Sequence, residues 1–213
     1  MKKLNLYFFI IFGILSCADK NSLFEELSPF RTGVKFSNDL AYDETFNIFT
    51  YRNYYNGGGV GLGDINNDGL IDIFFNSNLE KNRLYLNKGD FKFEDITDFA
   101  GVAGTKSWST GVSIADINAD GFLDIYVSNS GDIKGDNKQN ELYINNGDLT
   151  FTEMAADYGL DDTGYSTHAA FFDYDRDGDL DCYLLNNSYK GGFRITNIGT
   201  NQRPIRDSVG GDK

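Results

Sequence analysis

The sequence predicts an all-β fold built from repeated units of four short antiparallel strands. A nine-residue acidic segment occurs three times, and apolar runs typical of strands enter and leave each copy. Helical periodicity is almost absent, apart from a possible short turn near residues 95–100. The chain has 24 glycines and only two prolines, a composition that suits a protein rich in tight turns.

The acidic segment has the pattern Asp-x-Asx-x-Asp-Gly-x-x-Asp and spans residues 64–72, 116–124 and 173–181, here called loops 1, 2 and 3. Calcium takes about six to eight oxygen ligands, which side chains at positions 1, 3 and 5, a carbonyl at position 7 and a closing acid at position 9 can supply. The predicted ligands are Asp64, Asn66, Asp68, Leu70 and Asp72 in loop 1, Asp116, Asn118, Asp120, Phe122 and Asp124 in loop 2, and Asp173, Asp175, Asp177, Asp179 and Asp181 in loop 3. About three Ca²⁺ sites are therefore expected.

Two other structures, an EF-hand and a plain hairpin turn, share part of this loop pattern. An EF-hand needs an acid at position 12, where this chain has Phe75, Val127 and Leu184, so the loops are not EF-hands. A plain hairpin turn is also signalled by Asp-Gly. A turn needs the glycine but does not need acids or amides at positions 1, 3, 5 and 9, so the pattern favours a metal loop.

Apolar segments on both sides of the loops predict buried strands. Ile73–Phe75, Ile125–Val127 and Cys182–Leu184 follow the three loops, while Val112–Ile114 and Ala170–Phe172 lead into the second and third. These runs are β-branched or aromatic, as strands prefer. Each loop is therefore expected to join two buried strands.

The repeat continues beyond the loops. Asn82-Arg-Leu-Tyr-Leu-Asn87 matches Asn140-Glu-Leu-Tyr-Ile-Asn145 at an offset of 58 residues, whereas loops 1 and 2 start 52 residues apart. The six extra residues fall in the polar stretch 131–136, a surface loop by composition. Units of about 40 to 50 residues with four strands each are typical of β-propeller blades.

These repeats resemble FG-GAP/VCBS repeats, the blade motif also found in the integrin α-subunit propeller. The phrases at residues 55–64, 108–112 and 171–175 are similar to those of bacterial relatives of cartilage acidic protein, many of which also carry an ASPIC/UnbV domain. The resemblance covers about residues 28 to 190. It implies calcium-stabilised blades in a secreted or surface protein and no agreed catalytic activity.

The expected organisation has four segments. Residues 1–16 are a signal peptide, residues 17–50 a tether with a lead-in strand, residues 51–190 the repeats, and residues 191–213 a polar loop leading into a truncated blade. A closed propeller needs at least four blades. The fold class predicted is therefore an integrin-α-like β-propeller, present as an incomplete fragment.

The beginning of the chain predicts export. Lys2 and Lys3 precede an apolar run, and Ile14-Leu-Ser-Cys17 resembles a bacterial lipobox. This resemblance implies lipidation of Cys17 and an outer-membrane or cell-surface lipoprotein, with ordinary cleavage to a periplasmic or secreted protein as the alternative. The other cysteine, Cys182, is expected to be a buried thiol without a disulfide partner.

Charge limits the classes of partner. The formal net charge is −13, and nucleic acid binding requires basic patches, so nucleic acid is not an expected partner. We expect a protein or glycan ligand at the cell surface, with membrane contact through the lipid anchor only.

Catalytic candidates are few. His168 is the only histidine, but it stands in register with Gly59 and Gly111, and no nucleophile-elbow motif surrounds Ser166. Trp108 is either part of a sugar-stacking platform with nearby tyrosines, Tyr54, Tyr55 and Tyr165, or part of the packing between blades. The sequence therefore predicts a non-enzymatic calcium-binding scaffold for adhesion or ligand binding, with a glycan-binding or polysaccharide-processing component as the alternative.

Overall fold

The computed structural model describes residues 23–51, 53–106, 108–131 and 137–187. The predictions for the signal peptide, Cys17 and residues 191–213 lie outside these ranges. The strands are β1 (Val60–Gly63), β2 (Asp72–Phe75), β3 (Arg83–Asn87), β4 (Phe93–Asp95), β5 (Ser109–Ala115), β6 (Asp124–Asn129), β7 (Glu141–Asn145), β8 (Phe151–Glu153), β9 (Tyr165–Phe172) and β10 (Asp181–Asn187). The helices are α1 (Pro29–Thr32) and α2 (Thr97–Ala100), and across the described ranges none is long and apolar enough for a membrane span.

The strands form three separate antiparallel sheets. Blade 1 has the order β1-β2-β3-β4 and blade 2 the order β5-β6-β7-β8, which confirms the predicted four-stranded units. Blade 3 contains β9 and β10 within the described residues. The short helix α2 lies where the sequence predicted a turn, directly after β4.

Each acidic loop connects the first two strands of a blade in the same register. The residue before position 1 pairs with the closing acid, as Gly63 with Asp72, Ala115 with Asp124, and Phe172 with Asp181. The closing acid is therefore both the end of the loop and the first residue of the second strand. Because the closing acid belongs to both elements, it holds the loop at the end of the two strands that the loop connects.

The hydrophobic core lies between the blades because successive strand residues point to opposite faces. In β6, Ile125 and Val127 belong to a buried cluster that includes Phe74 of blade 1. Tyr126, between them, belongs to a second cluster, and its ring meets that of Phe171 in blade 3 at 5.4 Å. All six residues of β6 are consequently buried, so blade 2 is packed on both faces.

The first strands of neighbouring blades run close together, and glycines make this possible. A side chain on Gly61 would approach Ile114 to 2.7 Å, and one on Gly111 would meet the backbone of Thr167 and His168. Glycine suits both positions because the neighbouring strand occupies the space of a Cβ atom, with side-chain atoms at Gly61 and backbone atoms at Gly111. The glycine-rich approach to loop 1 is thus part of the contact between blades 1 and 2.

The chain before the repeats packs on blade 1, but it does not form the expected lead-in strand. Residues 23–51 contain no strand in the described structure, and the contact depends on a few side chains. Phe36 stacks on Phe75 with ring centroids 4.7 Å apart, and the amide of Lys35 donates to the hydroxyl of Tyr85. The side-chain amide of Asn38 donates to the side-chain oxygen of Asn78 at 2.8 Å. Side-chain contacts here replace the backbone ladder that a strand would have provided.

Candidate metal centres in the three acidic loops

The three loops share one backbone conformation. Position 4 has a left-handed φ of 59° at Asn67, 58° at Ala119 and 65° at Arg176. Position 6 is the glycine of each loop and also has a positive φ, such as 86° at Gly69. A Cβ atom on Gly69 would have no neighbour within 4 Å, so backbone conformation, and not space, requires glycine at this position. The two left-handed residues curl the chain so that positions 1, 3 and 5 face inward.

Position 1 organises the turn through its carboxylate. In loop 1, Asp64 accepts the amides of Asp68 at 3.0 Å and of Gly69 at 2.7 Å. In loop 2, Asp116 accepts the amides of Asp120 and Gly121, both at 3.0 Å. The same arrangement in two blades identifies position 1 as the residue that holds the loop closed.

Positions 3 and 5 stand side by side in the first two loops. The amide of Asp68 is shared between Asp64 and the side-chain oxygen of Asn66, which lies 3.3 Å away. The Asn66 side chain also donates to Asp68 at 3.0 Å, and Asn118 donates to Asp120 at 2.8 Å. One backbone nitrogen therefore brings together the side-chain oxygens of positions 1 and 3, and the side-chain amide of position 3 holds the carboxylate of position 5 beside them.

Position 7 is oriented by position 5. The amide of Leu70 donates to Asp68 at 2.8 Å, and the amide of Phe122 donates to Asp120 at 2.9 Å. Asp179 has the equivalent bond to Asp177, at 3.2 Å. These hydrogen bonds use the N–H of position 7. The carbonyl of the same residue, which is the predicted ligand, does not take part in them.

The closing acids of loops 1 and 2 are buried, and each joins its loop to the third strand of the blade. Asp72 accepts the amides of Ile65 at 3.0 Å and Asn87 at 2.7 Å. Asp124 accepts those of Ile117 at 2.8 Å and Asn145 at 2.9 Å. Burial raises the pKa of Asp72 and of Asp124, and these amide hydrogen bonds oppose that rise. Each closing carboxylate is therefore a structural anchor as well as a predicted ligand.

Loop 3 brings three carboxylates together. Oxygen atoms of Asp173, Asp175 and Asp177 all lie within 4.8 Å of one another, at exposed positions. Two ligands on opposite sides of one calcium ion are separated by about 4.6 to 5.2 Å, since each bond is about 2.3 to 2.6 Å. This group could hold a metal ion. Loops 1 and 2 have asparagine at position 3, so within the described residues their acids do not form a comparable trio.

The closing acid of loop 3 is only partly anchored within the described residues. Asp181 accepts the amide of Tyr174 at 2.8 Å, which corresponds to the Asp72–Ile65 bond of loop 1. The hydrogen bond that the Asp177 carboxylate accepts from the backbone amide of Asp179 lowers the pKa of Asp177, while the side-chain hydrogen bond between these acids raises the pKa of Asp179. Of the three loops, loop 3 has the greatest acidic charge and the most exposed surface.

The acids of the loops have no ion-pair partner in the described part of the chain. The four salt bridges there join Arg31 to Glu25, Lys81 to Asp98, Arg83 to Asp95 and Lys88 to Glu94. Neighbouring carboxylates repel one another when no cation lies between them. The donor set of each loop, consisting of carboxylate, amide and carbonyl oxygens, fits a hard divalent cation such as calcium.

Two asparagines of the sequence repeat belong to the site, although the repeat alone does not indicate their role. Asn87 and Asn145 donate their backbone amides to the closing acids of loops 1 and 2. Their recurrence as the last residue of Asn-x-Leu-Tyr-x-Asn was the available signal. The sequence could not show that β3 and β7 end beside the loops of their own blades.

The two catalytic candidates, Ser166 and His168, do not form a catalytic pair in the described structure. The Ser166 hydroxyl donates to the side chain of Asn186 at 2.8 Å and accepts from that of Asn140 at 2.9 Å. His168 is exposed on β9 beside Gly111. No hydrogen bond connects Ser166 to His168 among the described residues.

The four aromatic residues of the predicted sugar-stacking platform differ in burial. Trp108 is 1% exposed and Tyr54 is fully buried, and both pack with Phe46 from the segment before the repeats. Tyr55 is 66% exposed, and the Tyr165 ring lies 3.6 Å below the Lys138 ammonium group. Trp108 and Tyr54 are therefore core residues, which favours the packing interpretation over stacking on a sugar.

Comparison with known proteins agrees with this architecture. A family model described as FG-GAP-like repeat matches residues 64–127 and 130–184. Cartilage acidic protein 1 of Xenopus tropicalis is 33% identical over 144 residues, covering 65% of this chain and 21% of the relative. Cartilage acidic protein 1 of Homo sapiens is 28% identical over 169 residues, covering 78% of this chain and 24% of the relative. The chain thus spans about a fifth to a quarter of the length of these relatives.

Proposed function

The chain belongs to the FG-GAP-like repeat family, and from this premise we propose that loops 1, 2 and 3 bind calcium and stabilise a non-enzymatic binding scaffold. The observation that carries the proposal is the group formed by Asp173, Asp175 and Asp177, whose oxygens lie within 4.8 Å of one another. Repulsion among these acids disfavours the closed loop when no cation is bound. A divalent cation removes this repulsion and links the two strands that each loop connects.

The chain's own residues have distinct roles in this proposal. Side-chain oxygens at positions 1, 3 and 5 and the carbonyl at position 7 would hold the ion. Bound calcium supplies positive charge that offsets the acids of the loop. The closing acids Asp72 and Asp124 keep each loop on its blade through amide hydrogen bonds, and each carboxylate oxygen has a second lone pair for the ion. Blades 1 and 2 then form a rigid unit because their shared core lies directly beneath loops 1 and 2.

Titration calorimetry with calcium tests the proposal. Asp68→Asn, Asp120→Asn and Asp177→Asn each remove one ligand charge at position 5 but keep an oxygen that can accept the amide of position 7. Each variant should weaken the calcium site of its own loop at least tenfold. Asp157→Asn, an exposed acid outside the loops, is the matched control and should bind as the original chain does. Absence of calcium-dependent heat in the original chain would contradict the proposal.

We further propose that this scaffold is exported and presented at the cell surface, where its ligand is a protein or a glycan. The sequence supports this through the signal-like start of the chain and the lipobox-like Cys17. Metabolic labelling with a fatty-acid analogue in a bacterial host tests the anchor. The label should be incorporated into the original chain and should be absent from Cys17→Ser.

One observation favours the glycan-binding alternative. A cavity of about 470 Å³ is lined by exposed rings, Tyr42, Phe49 and Tyr55, together with Asp43 and Glu44. Exposed aromatic rings beside carboxylates suit the stacking and hydroxyl recognition that sugars require. Glycan-array binding that Tyr55→Ala abolishes, and that Tyr183→Ala on β10 leaves intact, would support this alternative. Silence of the original chain across the array would count against it.

A further inference from the structure

We propose that Asn145 couples loops 1 and 2, so that calcium bound in one loop strengthens binding in the other. This inference rests on the proposed calcium function and adds communication between sites in neighbouring blades. Coupling requires a physical connection that differs between the loaded and the empty loop. The contacts of Asn145 provide such a connection.

Asn145 touches both loops. Its backbone amide donates to Asp124, the closing acid of loop 2, at 2.9 Å. Its side-chain amide donates to the carbonyl of Leu123 in loop 2 at 3.1 Å and to the carbonyl of Ile65 in loop 1 at 2.8 Å. One asparagine in blade 2 therefore holds position 8 and position 9 of its own loop and position 2 of the loop before it.

The connection reaches the closing acid of loop 1 through the backbone of one residue, Ile65. The carbonyl of Ile65 accepts from Asn145, while the amide of the same residue donates to Asp72 at 3.0 Å. The buried path is thus Asp124, Asn145, Ile65 and Asp72. A calcium ion that orders Asp124 in loop 2 also orders the groups that orient Asp72 in loop 1.

Burial makes this path effective. Asp124 and Asp72 are 0% and 1% exposed, Ile65 is 1% exposed and Asn145 is 3% exposed. Water cannot replace a lost partner at such positions, so a shift of one loop leaves an unsatisfied group in the other. Arrangements in which both loops are closed are consequently favoured over mixed ones.

Asn87 is the equivalent of Asn145 in blade 1, but it makes no hydrogen bond to a loop of another blade within the described residues. It occupies the same place in blade 1, donates its amide to Asp72 at 2.7 Å and its side chain to the carbonyl of Ile71 at 2.8 Å. Its described hydrogen bonds all lie within blade 1. The bond to Ile65 is therefore what distinguishes Asn145, and Asn87 is its matched control.

A second contact joins the same two loops at the surface. The side chain of Asn67, at position 4 of loop 1, donates to the carbonyl of Gly121 in loop 2 at 3.0 Å. Loop 2 has Ala119 at position 4, which offers no side-chain donor. Within the described residues no hydrogen bond joins loop 2 to loop 3, so loop 3 should bind independently.

Nuclear magnetic resonance of the full chain can follow each loop separately during a calcium titration, through the amide signals of Gly69, Gly121 and Gly178. Asn145→Ala should raise the calcium concentration at half-saturation about fivefold for both Gly69 and Gly121, the effect of losing about one buried hydrogen bond at each loop. Asn87→Ala leaves the Asn145 bridge intact, so it should raise this concentration most for Gly69 and, through the coupling, by a smaller factor for Gly121. Gly178 should be unchanged in both variants.

A second variant keeps the test decisive if Asn145→Ala does not fold. Asp120→Asn weakens loop 2 directly, and coupling then predicts a severalfold weaker response at Gly69 than in the original chain. The matched comparison is Gly178, which reports any effect of the lost charge through space. An unchanged Gly69 response in Asn145→Ala or in Asp120→Asn overturns the coupling but leaves the calcium function intact. Absence of any calcium response at the three glycines overturns the calcium function itself.

Discussion

Asp124 accepts a 2.9 Å hydrogen bond from the backbone amide of Asn145, so the acid that closes loop 2 is bound to a strand that follows it by about twenty residues. The same carboxylate accepts the amide of Ile117 at 2.8 Å and is fully buried. Two buried backbone donors therefore depend on one side chain. This arrangement separates the structural role of position 9 from the ligand roles of positions 1, 3 and 5.

Asp124→Ala should destabilise the protein even without calcium. The substitution leaves two buried amides without an acceptor, at a cost of about 2 to 5 kcal/mol in the free energy of unfolding. Asp120→Ala, at exposed position 5, should cost less than about 1 kcal/mol in a chelator, because Asp120 is exposed. Urea unfolding with EDTA measures both, and equal losses in the two variants would refute the structural role assigned to Asp124.

Phe36→Ala should weaken the contact between the N-terminal segment and blade 1. The Phe36 ring stacks on Phe75 with an interplanar angle of 12°, so truncation removes buried apolar surface worth about 1 to 2 kcal/mol at this half-buried site. Phe30→Ala is the control, since Phe30 is 97% exposed and should be neutral. Chemical denaturation compares the two variants, and an unchanged midpoint for Phe36→Ala would show that the segment does not contribute to stability.

Gly111→Ala should be far more damaging than Gly61→Ala. The new methyl group at residue 111 would collide with the backbone of Thr167 and His168, which cannot move without displacing β9. At residue 61 it would meet the tip of the Ile114 side chain, which can change rotamer. We expect a loss of about 3 kcal/mol for Gly111→Ala and about 1 kcal/mol for Gly61→Ala. Thermal unfolding of both variants checks this order, and the reverse order would contradict the close packing of first strands.

Asp43 should contribute stability that depends on pH. A side-chain hydrogen bond from Thr45, followed by amide hydrogen bonds from Phe46 and Thr45, lowers the pKa of Asp43 in the folded chain. Because the pKa is lower in the folded chain, ionised Asp43 stabilises the fold at pH values above its unfolded-state pKa of about 3.9. This stabilisation is lost as the pH falls through the folded-state pKa.

The difference in urea midpoint between the original chain and Asp43→Ala should therefore be constant near neutral pH and disappear in acid. Asp43→Asn is the control, because its side-chain oxygen still accepts hydrogen bonds and its effect should vary less with pH. A difference for Asp43→Ala that stays the same down to about pH 2 would disprove this account.

The local repeat made much of the fold predictable. The three loops, the strands beside them and the four-stranded units all follow from residues close together in sequence, such as Asp116 and Gly121 in one turn. The bond from Asn145 to Ile65 joins residues 80 positions apart, and it depends on how two blades dock. No local pattern encodes that distance.

The sequence predicts the structure of the N-terminal segment less well, because this structure also depends on contacts between residues far apart in the chain. Of the apolar residues of this segment, Phe30 and Leu23 are 97% and 95% exposed, whereas Phe36 stacks on Phe75 of blade 1. The sequence leaves the role of Trp108 open because its burial depends on Phe46 of this segment and on Tyr51 at the start of the predicted repeats. Residues that precede the repeat have no second copy with which their pattern can be compared.

Thermal unfolding of the chain in calcium, in magnesium and in EDTA tests the central claim most directly. A ligand that binds only the folded state at about one hundred times its dissociation constant adds about 2.7 kcal/mol per site. Since 1 kcal/mol corresponds to about 2 to 4 °C in a protein of this size, millimolar calcium should raise the melting temperature by at least about 5 °C. Magnesium should raise it much less, because it requires a smaller and more rigid site. Equal melting temperatures in calcium and EDTA would contradict the account, because the three loops would then be turns without a metal.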